Sequence, residues 1–219
     1  MEFLSLLAII FGYFDKTGNL SNQCGILWSK LLLKLSRAEV IVQGAEKLAV
    51  GGPFVIVSNH QSAFDIFILM GRLPINFKWI LKKELLKIPI FGKALQAARY
   101  ISIDRDNARE ALNGIKNAAA MLDQGVSVAV FPEGTRSHDG KLNEFKRGAF
   151  ILSTKTKRPI LPVSLDGSYK IIGQNKMIHL GQKVILQIYD PIEVENLSAA
   201  DKKQLAERVR TLIAENLTM

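Results

Sequence analysis

Phe54-Val55-Ile56-Val57-Ser58-Asn59-His60-Gln61-Ser62-Ala63-Phe64-Asp65-Ile66-Phe67-Ile68-Leu69 is the stretch that decides the fold. Residues 54–57 are an unbroken β-rich apolar run, the pattern of a strand buried on both faces. A short polar segment follows, and a second apolar run opens at Ile66. A strand that feeds a loop and then a helix is the repeating unit of α/β folds. The loop at the strand's carboxyl end is where such folds place reactive side chains.

Working outward from residue 38, short β-rich runs alternate with helical periodicity. The pattern predicts an α/β domain with a largely parallel mixed sheet flanked by helices. Strands are expected near Val40–Val42, Phe54–Val57, Phe77–Leu81, Tyr100–Ile103, Val126–Phe131, Ile160–Leu165 and Val184–Ile188. Ala108, Ala111, Leu112, Ile115, Ala119 and Leu122 make one helical face, with Asp106 read as its N-cap and Gly125 as its stop. A last helix is expected with Ser198 and Asp201 capping it and Leu205, Val209, Leu212 and Ile213 as its buried stripe. No repeat, low-complexity tract or linker interrupts the chain.

Residues 1–14 are apolar except for Glu2 and Ser5. The early acidic charge and the missing small-residue cleavage pattern argue against a signal peptide. As a helix the segment would reach roughly 21 Å, short of the roughly 30 Å of a bilayer's hydrocarbon core. After an Asp15–Asn19 turn, a second helix runs through Ile26, Leu27, Trp28, Leu31, Leu32 and Leu35, with Lys30, Lys34 and Arg37 on one side. The expected division is therefore a membrane-interface helical hairpin over 1–36 and a catalytic domain over 37–219. The competing reading packs both helices on the protein's own core.

The 29 Lys and Arg against 20 Asp and Glu leave a formal net charge of +9, which calls for an anionic partner without naming it. A nucleic acid is disfavoured, since the basic residues are dispersed and no aromatic-rich binding motif accompanies them. The single cysteine, Cys24, rules out an intrachain disulfide and suits a reducing, cytoplasmic setting. One cysteine and three histidines argue against a structural metal site, and none is assigned.

Two loops carry candidate chemistry. In the first, a carboxylate five residues after a histidine can fold back to accept from Nδ1, leaving Nε2 free to take a proton from a hydroxyl, so His60 and Asp65 are the candidate catalytic pair. Ser62 and Asp65 are equally spaced as a helix N-cap and its partner. In the second, Phe131-Pro132-Glu133-Gly134-Thr135-Arg136-Ser137 again follows an apolar strand. Gly134 permits close backbone approach, Thr135 offers a hydroxyl and Arg136 a planar fork for phosphate oxygens. Lys146-Arg147-Gly148 adds anion-binding capacity at a helix start. Arg105, leaving the Tyr100–Ile103 strand, is a further phosphate ligand or merely half of a surface ion pair with Asp104.

Read together and in order, these blocks resemble the 1-acylglycerol-3-phosphate acyltransferase family, also called lysophosphatidic acid acyltransferases. The matching blocks are the His-x4-Asp segment Asn59–Asp65, the arginine segment Ile101–Arg105, the Pro-Glu-Gly-Thr-Arg segment Phe131–Ser137 and the proline segment Pro159–Val163. The resemblance covers roughly residues 38 to 170 and implies a glycerolipid-acyltransferase-like fold. It also implies a fatty acyl transfer from acyl-CoA or acyl carrier protein to the free sn-2 hydroxyl of 1-acylglycerol-3-phosphate, without a cofactor. His60 would be the base, Asp65 its orienter, and Arg105 and Arg136 the phosphate ligands in a pocket shaped by Glu133, Gly134 and Thr135. Another lysolipid, lyso-ornithine lipid or lysophosphatidylethanolamine, remains an alternative acceptor. The setting implied is the cytoplasmic face of a membrane, monotopic or peripheral. The chain departs from the family's pattern at Arg99 and Ser102, where glycine and an aromatic are usual. Nothing after Lys170 carries an assignable motif.

Overall fold

The apolar run before His60 forms a strand, β2 (Val55–Ser58), and all four of its residues are buried. It lies at the centre of a seven-stranded sheet because both of its faces are apolar and need cover. The computed structural model describes residues 2–104, 107–137, 142–172 and 177–217. In chain order the elements are α1 (Glu2–Phe14), α2 (Asn19–Leu35), β1 (Glu39–Gln43), β2, α3 (Phe64–Arg72), β3 (Phe77–Lys82), α4 (Phe91–Ala97) and β4 (Ile101–Ile103). They continue with α5 (Ala108–Asp123), β5 (Ser127–Val130), α6 (Gly148–Thr156), β6 (Ile160–Asp166), β7 (Lys183–Ile188) and α7 (Ala199–Ala214). The strand order is β1-β7-β6-β2-β5-β3-β4. Every pairing is parallel except β6 with β7. Each expected strand is present, so the largely parallel mixed sheet is borne out.

Side chains alternate across the sheet and build two cores. Ile56, Trp79 and Ala129 face α2 and α3 with Phe64, Ile68, Leu69 and Leu33. Val55, Val57 and Val128 face α5, α6 and α7 with Leu122, Leu152 and Val209. Because β2, β5, β3 and β4 run parallel, their carboxyl ends gather at one edge, and the loops after β2 and β5 meet there.

Three boundary expectations can be scored. Gly125 ends α5 in the left-handed region at φ 82, as the stop signal requires. Ser198 and Asp201 form a reciprocal capping box. The N-cap of α5 is Asn107, whose side chain accepts from the backbone N–H groups of Arg109 and Glu110. Asp106, the residue expected there, lies outside the described residues and is one position too early.

The N-terminal segment is a helical hairpin, as expected, but it is not free of the domain. α1 packs on α4 and α2 packs on α3. The buried side is mostly small or polar, with Ser5, Ala8, Ser21, Asn22, Cys24 and Ser29, and Leu33 joins the core near the end of α2. Gly12 allows that approach, since a Cβ there would lie 2.7 Å from the Cβ of Ala97. The outer side shows Phe3, Leu6, Ile10, Tyr13 and Phe14 of α1 and Leu27, Leu31 and Leu35 of α2. The amphipathic order of a soluble helix is thus inverted. Arg37 is a correction: α2 ends at Leu35, and Arg37 follows at φ 52, off the helical face that carries Lys30 and Lys34. Among the described residues no helix is long and apolar enough to cross a membrane.

Candidate active site

His60 leaves the carboxyl end of β2, and Asp65 sits in the first turn of α3. The turn between them brings His60 Nδ1 to 2.8 Å from Asp65 Oδ2. The same oxygen accepts from the backbone N–H of Gln61 at 2.6 Å and of Ser62 at 2.8 Å. Asp65 is wholly buried, so three donors stabilise its negative charge where water cannot. Against a carboxylate, Nδ1 must carry the proton, which leaves Nε2 with a free lone pair. The imidazole is only 14% exposed and stacks on Phe131, centroid to centroid 4.0 Å at 8°. The capping contacts form alongside this pair: Ser62 Oγ accepts from the Phe64 N–H at 3.3 Å, and Asp65 accepts from the Ser62 N–H, while Ala63 makes no side-chain cap bond.

The Pro-Glu-Gly-Thr-Arg loop after β5 holds the histidine's backbone. Glu133 is buried at 3% exposure. It accepts from the His60 N–H at 2.7 Å through one oxygen and from the Asn143 N–H at 2.8 Å through the other. Burial pushes its carboxyl above the usual range, opposed by those two donors. The N–H of Ser137 donates to the His60 carbonyl at 2.8 Å. Glu133 therefore braces the histidine's backbone from behind. Thr135 and Arg136 are exposed beyond it, and Gly134 turns the loop at φ 79. Lys146 and Arg147 are exposed at the start of α6, tied in by the Lys146 N–H to the Pro132 carbonyl at 2.9 Å. Arg105 lies outside the described residues.

A cavity of about 230 Å³ opens beside His60 and Gly134 and runs between α2, α3 and the sheet, its depth marked by Trp28, Met70, Trp79 and Tyr100. None of these four was singled out as a site residue from sequence, because each reads as ordinary core. The hairpin supplies part of the wall through Gly25, Trp28 and Ser29. Asn59 was also missed as a working part. Its side chain clamps Leu165 of β6, accepting from the backbone N–H and donating to the carbonyl, both at 2.8 Å. That clamp fixes where β2 ends and so where His60 begins. Among the described residues no group of three or more His, Cys, Asp or Glu side chains is placed to hold a metal ion.

An imidazole oriented by a buried carboxylate lies at the carboxyl end of a parallel sheet and at the mouth of an apolar cavity, an arrangement that suits general-base chemistry on an apolar substrate. Comparison with known proteins narrows the class. A family described as Acyltransferase matches residues 39–166, and the chain belongs to that family. It is 36% identical over 172 residues to the 1-acyl-sn-glycerol-3-phosphate acyltransferase alpha of Homo sapiens, covering 78% of this chain and 61% of that one. To the 1-acyl-sn-glycerol-3-phosphate acyltransferase of Borreliella burgdorferi it is 30% identical over 188 residues, covering 86% and 75%. The solved structure of the 1-acyl-sn-glycerophosphate acyltransferase PlsC of Thermotoga maritima superposes with a TM-score of 0.75 at 26% identity, over 98% of this chain and 95% of that one. The chain spans about 60% of the length of the mammalian relatives it matches.

Proposed function

We propose that the protein is a 1-acylglycerol-3-phosphate O-acyltransferase that moves a fatty acyl group from a thioester donor to the sn-2 hydroxyl, giving phosphatidic acid. The observation that carries this is the His60–Asp65 pair at the mouth of an apolar cavity. His60 Nε2 takes the proton of the acceptor hydroxyl as its oxygen attacks the thioester carbonyl. The tetrahedral intermediate collapses by breaking the carbon–sulfur bond, and the imidazolium returns the proton to the leaving thiolate. Asp65 stabilises that imidazolium. The acceptor's own hydroxyl fills the place that serine holds in a catalytic triad, so no acyl-enzyme forms. Chain length is accommodated by the cavity, and the exposed Arg136, Lys146 and Arg147, with Arg105, supply charge for the phosphate. The donor is acyl-CoA or acyl carrier protein, and the chemistry needs no further cofactor.

The reaction joins a bilayer-resident acceptor to a water-soluble donor, so the enzyme works at a membrane surface. The hairpin's outward apolar face, with Lys30 and Lys34 beside it, supports a monotopic or peripheral seat, and the lone reduced cysteine supports the cytoplasmic face. The deciding assay offers the purified protein a panel of lysolipids with each donor in turn. Phosphatidic acid from lysophosphatidate is the expected product. Acylation of lyso-ornithine lipid or lysophosphatidylethanolamine with lysophosphatidate untouched would replace this acceptor with the alternative.

A further inference from the structure

A second apolar cleft lies on the opposite face of the sheet from the His60 cavity. Its volume is about 310 Å³, and Ile80, Ile103, Ala111, Ile115 and Leu152 form its walls between α5, α6 and the sheet. Ile80, Ile115 and Val130 belong to the core on that side, whereas Trp79 and Phe131 belong to the other. Phe131 borders both cavities and carries the His60 ring against its own. The two hollows therefore share Phe131 and Ile80 as a partition, and the His60 ring lies against Phe131 in the first of them.

Among the described residues Lys146 alone lines this cleft with a polar side chain, and it is exposed beside Pro132 and Gly148. Such walls suit an alkyl chain. A pantetheine arm would leave its two amides without partners there, at a cost for each buried polar group. The neighbouring cation narrows the choice further. In a lysolipid phosphate the chain and the anion hang from one glycerol, a few bonds apart and close to the reacting hydroxyl. In a thioester donor the phosphates are separated from the acyl chain by the whole pantetheine arm and lie beyond the reacting carbon.

We infer that this cleft binds the alkyl chain already carried by the acceptor, with Lys146 meeting its phosphate. The donor's chain then occupies the His60 cavity. The assignment rests on the acyltransferase reading and adds to it a separate seat for each chain. Fixing the acceptor's chain on one side of Phe131 and the donor's on the other delivers hydroxyl and thioester to Nε2 from opposite sides.

The test fills the cleft in the full chain with Ile115→Trp, and with the milder Ala111→Leu should the larger residue prevent folding. Chain-length profiles are measured separately for acceptor and donor. Long-chain acceptors should lose about tenfold or more in kcat/KM relative to short-chain ones, the discrimination an apolar pocket gives against a misfitting group. The donor profile should stay as in the wild type. Binding of a 2-deoxy lysophosphatidate, which lacks the reacting hydroxyl, should lose the same long-chain preference by calorimetry. A shift in the donor profile instead, or unchanged profiles in variants that melt like the wild type, overturns the inference. A wild type inactive on every lysolipid would sink the proposed function alone, because the deoxy-lipid titration still reads the cleft.

Discussion

His60 is held by four separate contacts, each from a different residue: Asp65 at Nδ1, Glu133 at the N–H, Ser137 at the carbonyl and Phe131 at the ring face. Preorganisation of this kind is what lets a general base contribute about 10² to 10⁴ in rate. His60→Ala should reduce turnover by that order with little change in acceptor affinity, and a folded variant retaining wild-type turnover would remove the base from the mechanism. Asp65→Asn should be comparably severe, since the amide cannot stabilise the imidazolium. Glu133→Gln separates positioning from chemistry. Its carboxylate accepts from two backbone N–H groups, and an amide offers one oxygen and one NH₂, so one buried donor is left facing another. The expected cost is roughly 1–3 kcal/mol of stability. Turnover should fall with it, read by denaturant melts alongside kinetics.

Among the elements, the turn between α1 and α2 is tied to the domain by Arg99 and Lys78, and the first of these bears on a departure from the family's pattern. Arg99 takes φ 59, a left-handed conformation that glycine adopts freely, which is why glycine is usual there. Arg99 offsets that cost by donating Nε to the Lys16 carbonyl at 3.2 Å, a bond from the catalytic domain to the hairpin turn. Arg99→Gly exchanges an exposed hydrogen bond for relief of about 1–2 kcal/mol of backbone strain, so thermal stability should change little or rise slightly. A β-branched replacement, Arg99→Val, loses the bond and keeps the strain. It should melt clearly lower, and equal melting of the two variants would refute this account. Gly18 shows the same tight fit, because a Cβ there would stand 2.7 Å from the Ala97 carbonyl oxygen at φ 69.

At the scale of the whole molecule the hairpin is a wall of the His60 cavity and, under the proposed function, the membrane anchor. Cutting the chain near Ala38 would remove Gly25, Trp28 and Ser29 from the His60 cavity, so truncation cannot test the membrane role by itself. Polar substitutions of the outward residues can. Phe3→Ser, Leu6→Ser and Ile10→Ser together should release the protein from anionic vesicles in flotation while sparing activity on dispersed short-chain substrate. Undiminished flotation would mean that the face is not the anchor. The joint itself is pH-sensitive. Lys78 of β3 is 2% exposed and donates Nζ to the Gly18 carbonyl at 2.8 Å. Burial holds its pKa at about 8 against an ordinary 10.5, with Asp15 pulling the other way. Between those values the unfolded chain binds the proton and the folded one does not, so stability rises with pH across this window. Measured as the difference between wild type and Lys78→Met, the gain should appear from about pH 8 to 10.5 and be flat below it. A flat difference throughout would mean that Lys78 keeps its charge.

Patterns local to the chain were legible without a structure. The apolar runs marked every strand, and His60 with Asp65 was readable because a five-residue loop brings the two together by itself. The capping box at Ser198 and the stop at Gly125 are local for the same reason. Properties that depend on which distant segments meet were decided by tertiary structure alone. Glu133 reads as part of a phosphate loop until β5 is laid beside β2, which turns its carboxylate onto the His60 backbone. Trp79 and Phe131 read as core until the sheet leaves a hollow beside both and a second one on the far side of Phe131. The hairpin's apolar residues count the same in sequence whether they face lipid or core. Only the packing of its small and polar side against α3 and α4 turned them outward, since periodicity records that a helix has two faces and not which one its neighbours cover.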